Sequence, residues 1–141
     1  TSARLLESLC ALGGARSEGQ PTLTSSWIGH LGQWDAYSSP REPAHALASL
    51  QQLADAARAG GHERLHGSTS LCIAPGYQFG LCDGLITNFH APDSTLLLLV
   101  GALLGGAAPL QSLYKHALQD KYRFLSYGDA CYIVRPPRGC L

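Results

Sequence analysis

The sequence predicts an α/β fold, a mixed sheet with flanking helices, and two patterns carry that prediction. Apolar residues recur at helical spacing in several stretches, and between them lie short β-like runs punctuated by Pro and Gly. The block DGLITNFHAPDSTLLLLV, Asp83 to Val100, joins the two patterns: a β-run, a polar Asn88-Phe89-His90 corner and the start of an apolar helix.

Ser2 to Leu12 reads as a helix with Leu5, Leu6, Leu9 and Leu12 along one side, stopped by Gly13-Gly14. Gly13 to Pro43 mixes Gly, Ser, Pro and Gln with two tryptophans and no sustained period, the composition of a long, partly irregular segment. From Ala44 to Ala59 the residues Leu47, Leu50, Ala54 and Ala57 recur at helical spacing, and Gly60-Gly61 supplies a left-handed stop. His62 to Ser68 reads as loop. β-runs are expected at Ser70–Ala74, Tyr77–Cys82 and Gly84–Phe89, with Pro75-Gly76 as a turn and the last two runs paired. Pro92 fixes φ, and Asp93 or Ser94 offers a side-chain oxygen to the free N–H groups of a Leu96–Leu104 helix. Gly105-Gly106 ends that helix, and Pro109 opens another with Leu110, Leu113, Tyr114, Ala117 and Leu118 as one stripe. Arg123–Leu125 and Cys131–Val134 read as strands flanking the polar turn Ser126-Tyr127-Gly128-Asp129, and Pro136–Gly139 as a frayed tail.

Bulk properties narrow the function classes. A length of 141 residues suits one compact domain with a modest core. The sequence has no Met and opens directly into a helix-like run, which reads as a piece of a longer chain. Ten Lys and Arg balance ten Asp and Glu, so the basic footprint of a long nucleic-acid contact is missing. If a nucleic acid is bound, most phosphate contacts are expected outside these residues. Cys10, Cys72, Cys82, Cys131 and Cys140 are odd in number and lack C-x-x-C spacing, which argues against a disulfide framework or a zinc site and suits a reducing, cytoplasmic compartment. Cys72, Cys82 and Cys131 fall in apolar runs and read as packed thiols. The longest apolar run, Leu96 to Leu104, is far short of the roughly 20 residues a bilayer span needs, so no membrane role is expected. The G-x-S-x-G elbow, the P-loop and a G-x-G-x-x-G after a strand are not found.

His90 stands where a strand hands over to a helix, the kind of crevice in which α/β folds hold ligands, and is the first candidate for proton transfer. The competing role is a ring that only bonds a neighbouring carbonyl or helix cap. Asn88 either orients a ligand with its amide or closes the turn. Ser94 and Thr95 cap the following helix, and the same N–H groups could meet an anion, although an acidic Asp93 disfavours one. Tyr127 and Asp129, with Arg123 nearby, form either a ligand-lining turn or an Asx-type turn closed on its own backbone. Arg4 and Glu7 are i,i+3 neighbours, as a helix-surface pair would be. Trp27 and Trp34 with Tyr37 could stack on bases, or pack the irregular segment onto a sheet, and packing is favoured.

Asp83–Val100, followed by YRFLSYGDACYIV at Tyr122–Val134, resembles the C-terminal signature of the S-adenosylmethionine:tRNA ribosyltransferase-isomerase family of queuosine biosynthesis. TSARLLES at Thr1–Ser8 resembles that family's threonine-rich strand end and helix start, and IAPGYQF at Ile73–Phe79 its Pro-Gly-Tyr strand start. GQWDAYSSP, Gly32 to Pro40, and the helical stretch after it resemble an insertion in one branch of the family. Ala91 and Asp93 depart from the family pattern, where a longer apolar residue and often Lys or Gly are expected.

The resemblance implies a fold that is the C-terminal part of a larger barrel-like α/β domain. Residues 1–141 would then be a single partial domain, with 13–68 an insertion carrying one helix and the N-terminal portion of the same protein a missing partner. It further implies an enzyme using S-adenosylmethionine as a ribosyl donor and the tRNA anticodon loop as acceptor, with no metal or redox cofactor. The ribosyl unit would pass to 7-aminomethyl-7-deazaguanine and rearrange to epoxyqueuosine. On this reading His90 carries proton transfer, Asn88 and Tyr127 orient, Asp129 and Arg123 hold polar parts of the donor, and Ser94, Thr95 and Arg4 bind substrate. The isolated chain would be inactive, and a remnant serving only as an interaction module is the competing role.

Overall fold

The computed structural model describes residues 1–15, 22–38 and 43–135, in two compact units that each combine helices with a small sheet. The expected frayed tail at Pro136–Gly139 and Cys140 lie outside the described residues. The first unit, Thr1–Cys72 with Gln78–Cys82, holds α1 (Ser2–Gly14), β1 (Trp27–Leu31), α2 (Asp35–Ser38), α3 (Pro43–Ala59) and β2 (His66–Thr69). The second, Ile73–Tyr77 with Asp83–Leu141, holds β3 (Gly84–Asn88), α4 (Leu96–Leu104), α5 (Ala107–Gln119), a 3-10 turn (Leu125–Tyr127) and β4 (Ala130–Val134). The mixed α/β class with small sheets and flanking helices is thus as the sequence implies.

In the first unit α1 turns an unexpected face inward. The leucines are not the buried face: Leu5 and Leu6 are exposed, Leu9 is only partly buried against the Leu23, Leu53, Ala56 and Ala57 cluster, and Leu5, Leu9 and Leu12 border a half-open cavity of about 250 Å³ with Ile28 and Leu65. The buried face is Ala3, Glu7, Cys10 and Ala11. Glu7 is 2 % exposed; its Oε2 accepts the Gly80 N–H and its Oε1 the Leu81 and Cys82 N–H groups, each at 2.9 Å. The expected surface pair of Arg4 with Glu7 is therefore replaced by a buried carboxyl group that caps a loop, while Arg4 stays exposed. Three bonds to one acceptor group outweigh the gain of turning a leucine inward, because each of those N–H groups left unpaired would cost about 1–3 kcal/mol.

Small residues let α1 and α3 approach closely. A Cβ on Gly13 would lie 2.5 Å from the Ser49 carbonyl oxygen. Gly13 and Gly14 are helical and the cap is Ala15, in ordinary right-handed geometry, so Gly13 serves packing rather than termination. On α3 the buried face is Ala46, Ser49, Leu53, Ala56 and Ala57, which shares only Ala57 with the expected stripe, and Leu47 is 71 % exposed. Gly61 takes the left-handed φ of 69° that the double glycine predicts after α3, and His62 N–H closes back to Ala57 O at 2.9 Å.

The segment expected to be irregular contributes β1, which pairs in parallel with β2 through His30↔Ser68 and Leu31↔Thr69, and α2 and α3 fall between the two strands in the chain. Parallel neighbours need such a crossover connection. The strand in this region is His66–Thr69, not Ser70–Ala74; beyond it Ser70 and Cys72 N–H groups still reach Leu31 O and Gln33 O. Tyr37 O–H donates to Cys72 O at 2.9 Å and meets Trp34 edge-on, whereas Trp27 and Trp34 are each 53 % exposed, so the expected packing is seen for Tyr37 and not for the two tryptophans.

In the second unit Ala74-Pro75-Gly76-Tyr77 is a turn closed by Tyr77 N–H to Ala74 O at 3.0 Å, with Gly76 at φ 97°. The strand following it in the chain does not pair with Tyr77–Cys82. The 80–82 amides are committed to Glu7, and β3 instead pairs antiparallel with β4, from Gly84↔Val134 to Asn88↔Ala130. Ile133 is buried, whereas Ile86, Tyr132 and Val134 are exposed on the other face. Gly105 ends α4 at φ 88°, and α5 begins at Ala107, two residues before Pro109. Arg123–Leu125 is not a strand: Leu125 adopts φ 61° and enters the 3-10 turn.

Two outcomes follow from this packing. Glu7→Ala is expected to lower stability by about 2–5 kcal/mol in urea titration, because the 80–82 amides lose their acceptor; a loss below about 1 kcal/mol would show that water replaces it. Gly13→Ala should cost about 1–3 kcal/mol despite the better helix propensity of Ala, since its Cβ meets backbone rather than a movable side chain.

Candidate functional site

The polar corner after β3 gathers the groups best suited to chemistry. Strand alternation sends Thr87 inward and Asn88 outward, and Phe89 is then driven into the interior, 3 % exposed. Phe89 sits amid Tyr114, Tyr122 and Phe124, with ring centroids 5.7, 5.4 and 5.6 Å away. That wedge fixes His90 beside it. The His90 backbone N–H donates to Tyr114 Oη at 2.8 Å, and its imidazole Nε2 lies 2.9 Å from Thr87 Oγ1. Burial pushes the Tyr114 hydroxyl above its ordinary pKa; the His90 N–H pulls the other way, and nearby Cys131 adds a smaller upward push. Burial likewise raises the Cys131 thiol, whose S–H donates to Thr87 O at 3.4 Å, so it is a packed thiol as its apolar run suggests. Cys82 is also buried.

The Tyr127–Asp129 turn is tied to this corner through one backbone bond, Leu125 N–H to Phe89 O at 2.8 Å. Asp129 Oδ2 accepts the Arg123 backbone N–H at 2.5 Å and its Nε–H at 3.2 Å. Those two bonds, the backbone one foremost, hold the Asp129 carboxyl below the usual carboxylate range. Arg123 and Asp129 thus close the turn on each other, and Tyr127 projects from it, 76 % exposed. Asn88 is exposed on the opposite face of the ribbon from Thr87, and no hydrogen bond joins it to His90 among the described residues.

At the start of α4 it is Ser94, not Asp93, that supplies the capping oxygen: Leu96 N–H donates to Ser94 Oγ at 3.2 Å. Leu97 and Leu98 N–H groups are taken by the Ser94 and Thr95 carbonyls, and Thr95 itself makes no side-chain cap. The donors an anion would use are therefore already engaged. Arg4 belongs to the first unit, on α1, and the remaining candidates to the second. Among the described residues no three His, Cys, Asp or Glu side chains gather as a metal site would require, and no single helix is long and apolar enough to cross a membrane.

Sequence reasoning passed over the polar roles of Thr87 and Tyr114, and it read Glu7 as a surface partner of Arg4. Thr87 looked like strand filler, although Thr-x-x-His at a strand end places a hydroxyl within reach of the ring. Tyr114 looked like one member of an apolar stripe, yet a tyrosine among leucines carries a hydroxyl that needs a partner when half-buried.

Comparison with known proteins bears on the same region. Residues 44–133 match the model of the family described as "Queuosine biosynthesis protein", a range that holds the Ile73–Phe79 and Asp83–Val100 segments and most of Tyr122–Val134. Thr1–Ser8 and Gly32–Pro40 precede it. A protein of Cupriavidus pinatubonensis named S-adenosylmethionine:tRNA ribosyltransferase-isomerase is 52 % identical over 88 residues, which are 62 % of this chain and 25 % of that protein. One of Prochlorococcus marinus with the same name is 57 % identical over 75 residues, 53 % of this chain and 20 % of that protein. The chain thus spans a quarter or less of the length of these relatives. With the family match running through both the His90 corner and the Tyr127–Asp129 turn, the chain belongs to the queuosine biosynthesis protein family.

Proposed function

We propose that this chain is part of an enzyme that transfers the ribosyl moiety of S-adenosylmethionine to 7-aminomethyl-7-deazaguanine in tRNA and isomerises it to give epoxyqueuosine. The observation that carries this reading is the identity of 52 % and 57 % to relatives named for S-adenosylmethionine and tRNA, together with the family match over 44–133. In this reading residues 1–141 form part of a larger barrel-like catalytic domain whose remaining portion, comparable to the rest of the relatives' length, completes the site in the cytoplasm. The even charge balance agrees with tRNA phosphates being held mainly by that remaining portion.

The reaction needs a base for a proton made acidic by the neighbouring sulfonium, a hydrogen-bond donor for departing adenine, and a cradle that keeps water out. His90 takes the proton-transfer role, because its ring is anchored on one side and its backbone is held by Tyr114 Oη. Tyr127 and Asn88 are exposed side chains suited to orient the tRNA base or the donor. The Arg123–Asp129 pair contributes by shaping the turn that carries Tyr127, and Arg123 offers its outer guanidinium nitrogens to polar parts of the donor. Ser94 and Thr95 fix the start of α4 beside the corner, with substrate contact through their side chains, and Arg4 binds substrate from α1. No metal or redox cofactor is needed for these steps.

A polypeptide of the relatives' length carrying these residues should release adenine and methionine from S-adenosylmethionine only when tRNA with the deazaguanine base is present, while residues 1–141 alone should not turn over. Chromatography of the released adenine reads this; methylated tRNA in its place would overturn ribosyl transfer. His90→Ala in the same polypeptide should slow single-turnover adenine release about 100-fold or more, as loss of general acid–base catalysis does, at a nearly unchanged melting temperature. Near-normal turnover with a large drop in melting temperature would make His90 structural.

A further inference from the structure

His90 is held by only one of its two ring nitrogens. Nε2 is engaged with Thr87 Oγ1, whereas Nδ1 has no hydrogen-bond partner among the described residues. Every buried side-chain N or O atom of the non-exposed described residues has a partner, so Nδ1 is not sealed from solvent. The anchor itself is rigid. Thr87 is fixed in the β3–β4 ladder opposite Cys131, whose thiol donates to the Thr87 carbonyl at 3.4 Å. The His90 backbone is fixed independently by Tyr114 Oη and by the buried Phe89 ring. Offering Nε2 to a substrate would require breaking the Thr87 bond; offering Nδ1 requires nothing.

A neutral imidazole has one N–H and one lone pair, and the bond made by one nitrogen decides what the other presents. A hydroxyl can accept or donate, but the Nε2–H form is the commoner neutral tautomer of free histidine, and Thr87 Oγ1 has both lone pairs available to accept it. Thr87 Oγ1 has no other partner among the described residues to favour the opposite polarity.

We propose that Thr87 is a positioning residue that holds His90 as its Nε2–H tautomer, so that Nδ1 is the nitrogen that exchanges the proton with substrate. This rests on His90 being the proton-transfer group of the reaction above. In the step itself, the C–H bond beside the sulfonium breaks, its proton passes to the Nδ1 lone pair and its electron pair stays on carbon. The ring becomes an imidazolium whose Nε2–H still donates to Thr87 Oγ1, so no reorientation accompanies the transfer.

Long-range proton–nitrogen correlation spectra of the nitrogen-15-labelled chain, with the His90 signals identified by their loss in His90→Gln, read the tautomer without any substrate. The expected result is a bare Nδ1 and a protonated Nε2 in the native chain, a shift toward the mixed populations of a free ring in Thr87→Val, and return to the native pattern in Thr87→Ser. A protonated Nδ1 in the native chain, or no change in Thr87→Val, overturns the proposal. In the polypeptide of the relatives' length, Thr87→Val should lower kcat for adenine release about tenfold with KM nearly unchanged and move the acidic limb of the pH profile, and Thr87→Ser should restore both. Full activity in Thr87→Val beside a slow His90→Ala would overturn the positioning role while leaving His90 as the proton-transfer group. Full activity in both variants would overturn that assignment of His90 itself.

Discussion

A chain segment that belongs to no helix or strand must still pair its amides, and in the first unit Glu7 meets that demand for residues 80–82. The carboxyl group sits on the small-residue face of α1, where alanine and cysteine neighbours leave room for backbone to come close. Much else is a consequence. Because Gly80, Leu81 and Cys82 point their N–H groups at α1, they cannot form a ladder with the strand that follows in the chain, and β3 takes a partner that far down the chain as β4. Because α1 must present Glu7 inward, its leucines face outward and toward the half-open cavity.

In the second unit the same accounting is done by a hydroxyl. Tyr114 stands on α5, and its Oη satisfies the His90 N–H just where β3 has ended and no ladder partner remains. Its ring also packs on Phe89 and Phe124, so a single residue joins the aromatic core to the polar corner. Desolvation keeps the phenol neutral, the state in which it is both acceptor and donor. The corner is polar at the surface and rigid underneath, the combination a proton-transfer group requires.

Legibility in the sequence followed locality. The Pro75-Gly76 turn, the stops at Gly61 and Gly105, β3 and the later strand were readable because short-range sterics set them. Trp27–Leu31 and His66–Thr69 were not, since WIGHL and HGST carry no clean alternation and become strands only by pairing with each other. Arg123–Leu125 was misread as extended because nothing local announces a leucine at positive φ; the Asp129 carboxyl, six residues beyond Arg123, holds that turn. The helix phases of α1 and α3 were off because leucine marks the apolar side by size alone, whereas close helix contact selects Gly13, Ala46 and Ser49. At the corner, His90 was legible from its place between strand and helix, but Thr87 and Tyr114 were not, the latter lying 24 residues away.

The Glu7 clamp also sets an order of events during synthesis. Its last donor, Cys82, lies 75 residues beyond it in the chain, and at about 5–20 residues per second the ribosome takes roughly 4–15 s to supply that stretch. Throughout that interval α1 carries a carboxyl group without its final partners on the very face that must be buried, so the helix has reason to remain in water until the loop arrives. The Ile73–Tyr77 segment, which belongs to the second unit, emerges before Gln78–Cys82 completes the first. Neither unit is a continuous stretch of chain, and the nascent polypeptide finishes its first unit only after it has begun its second.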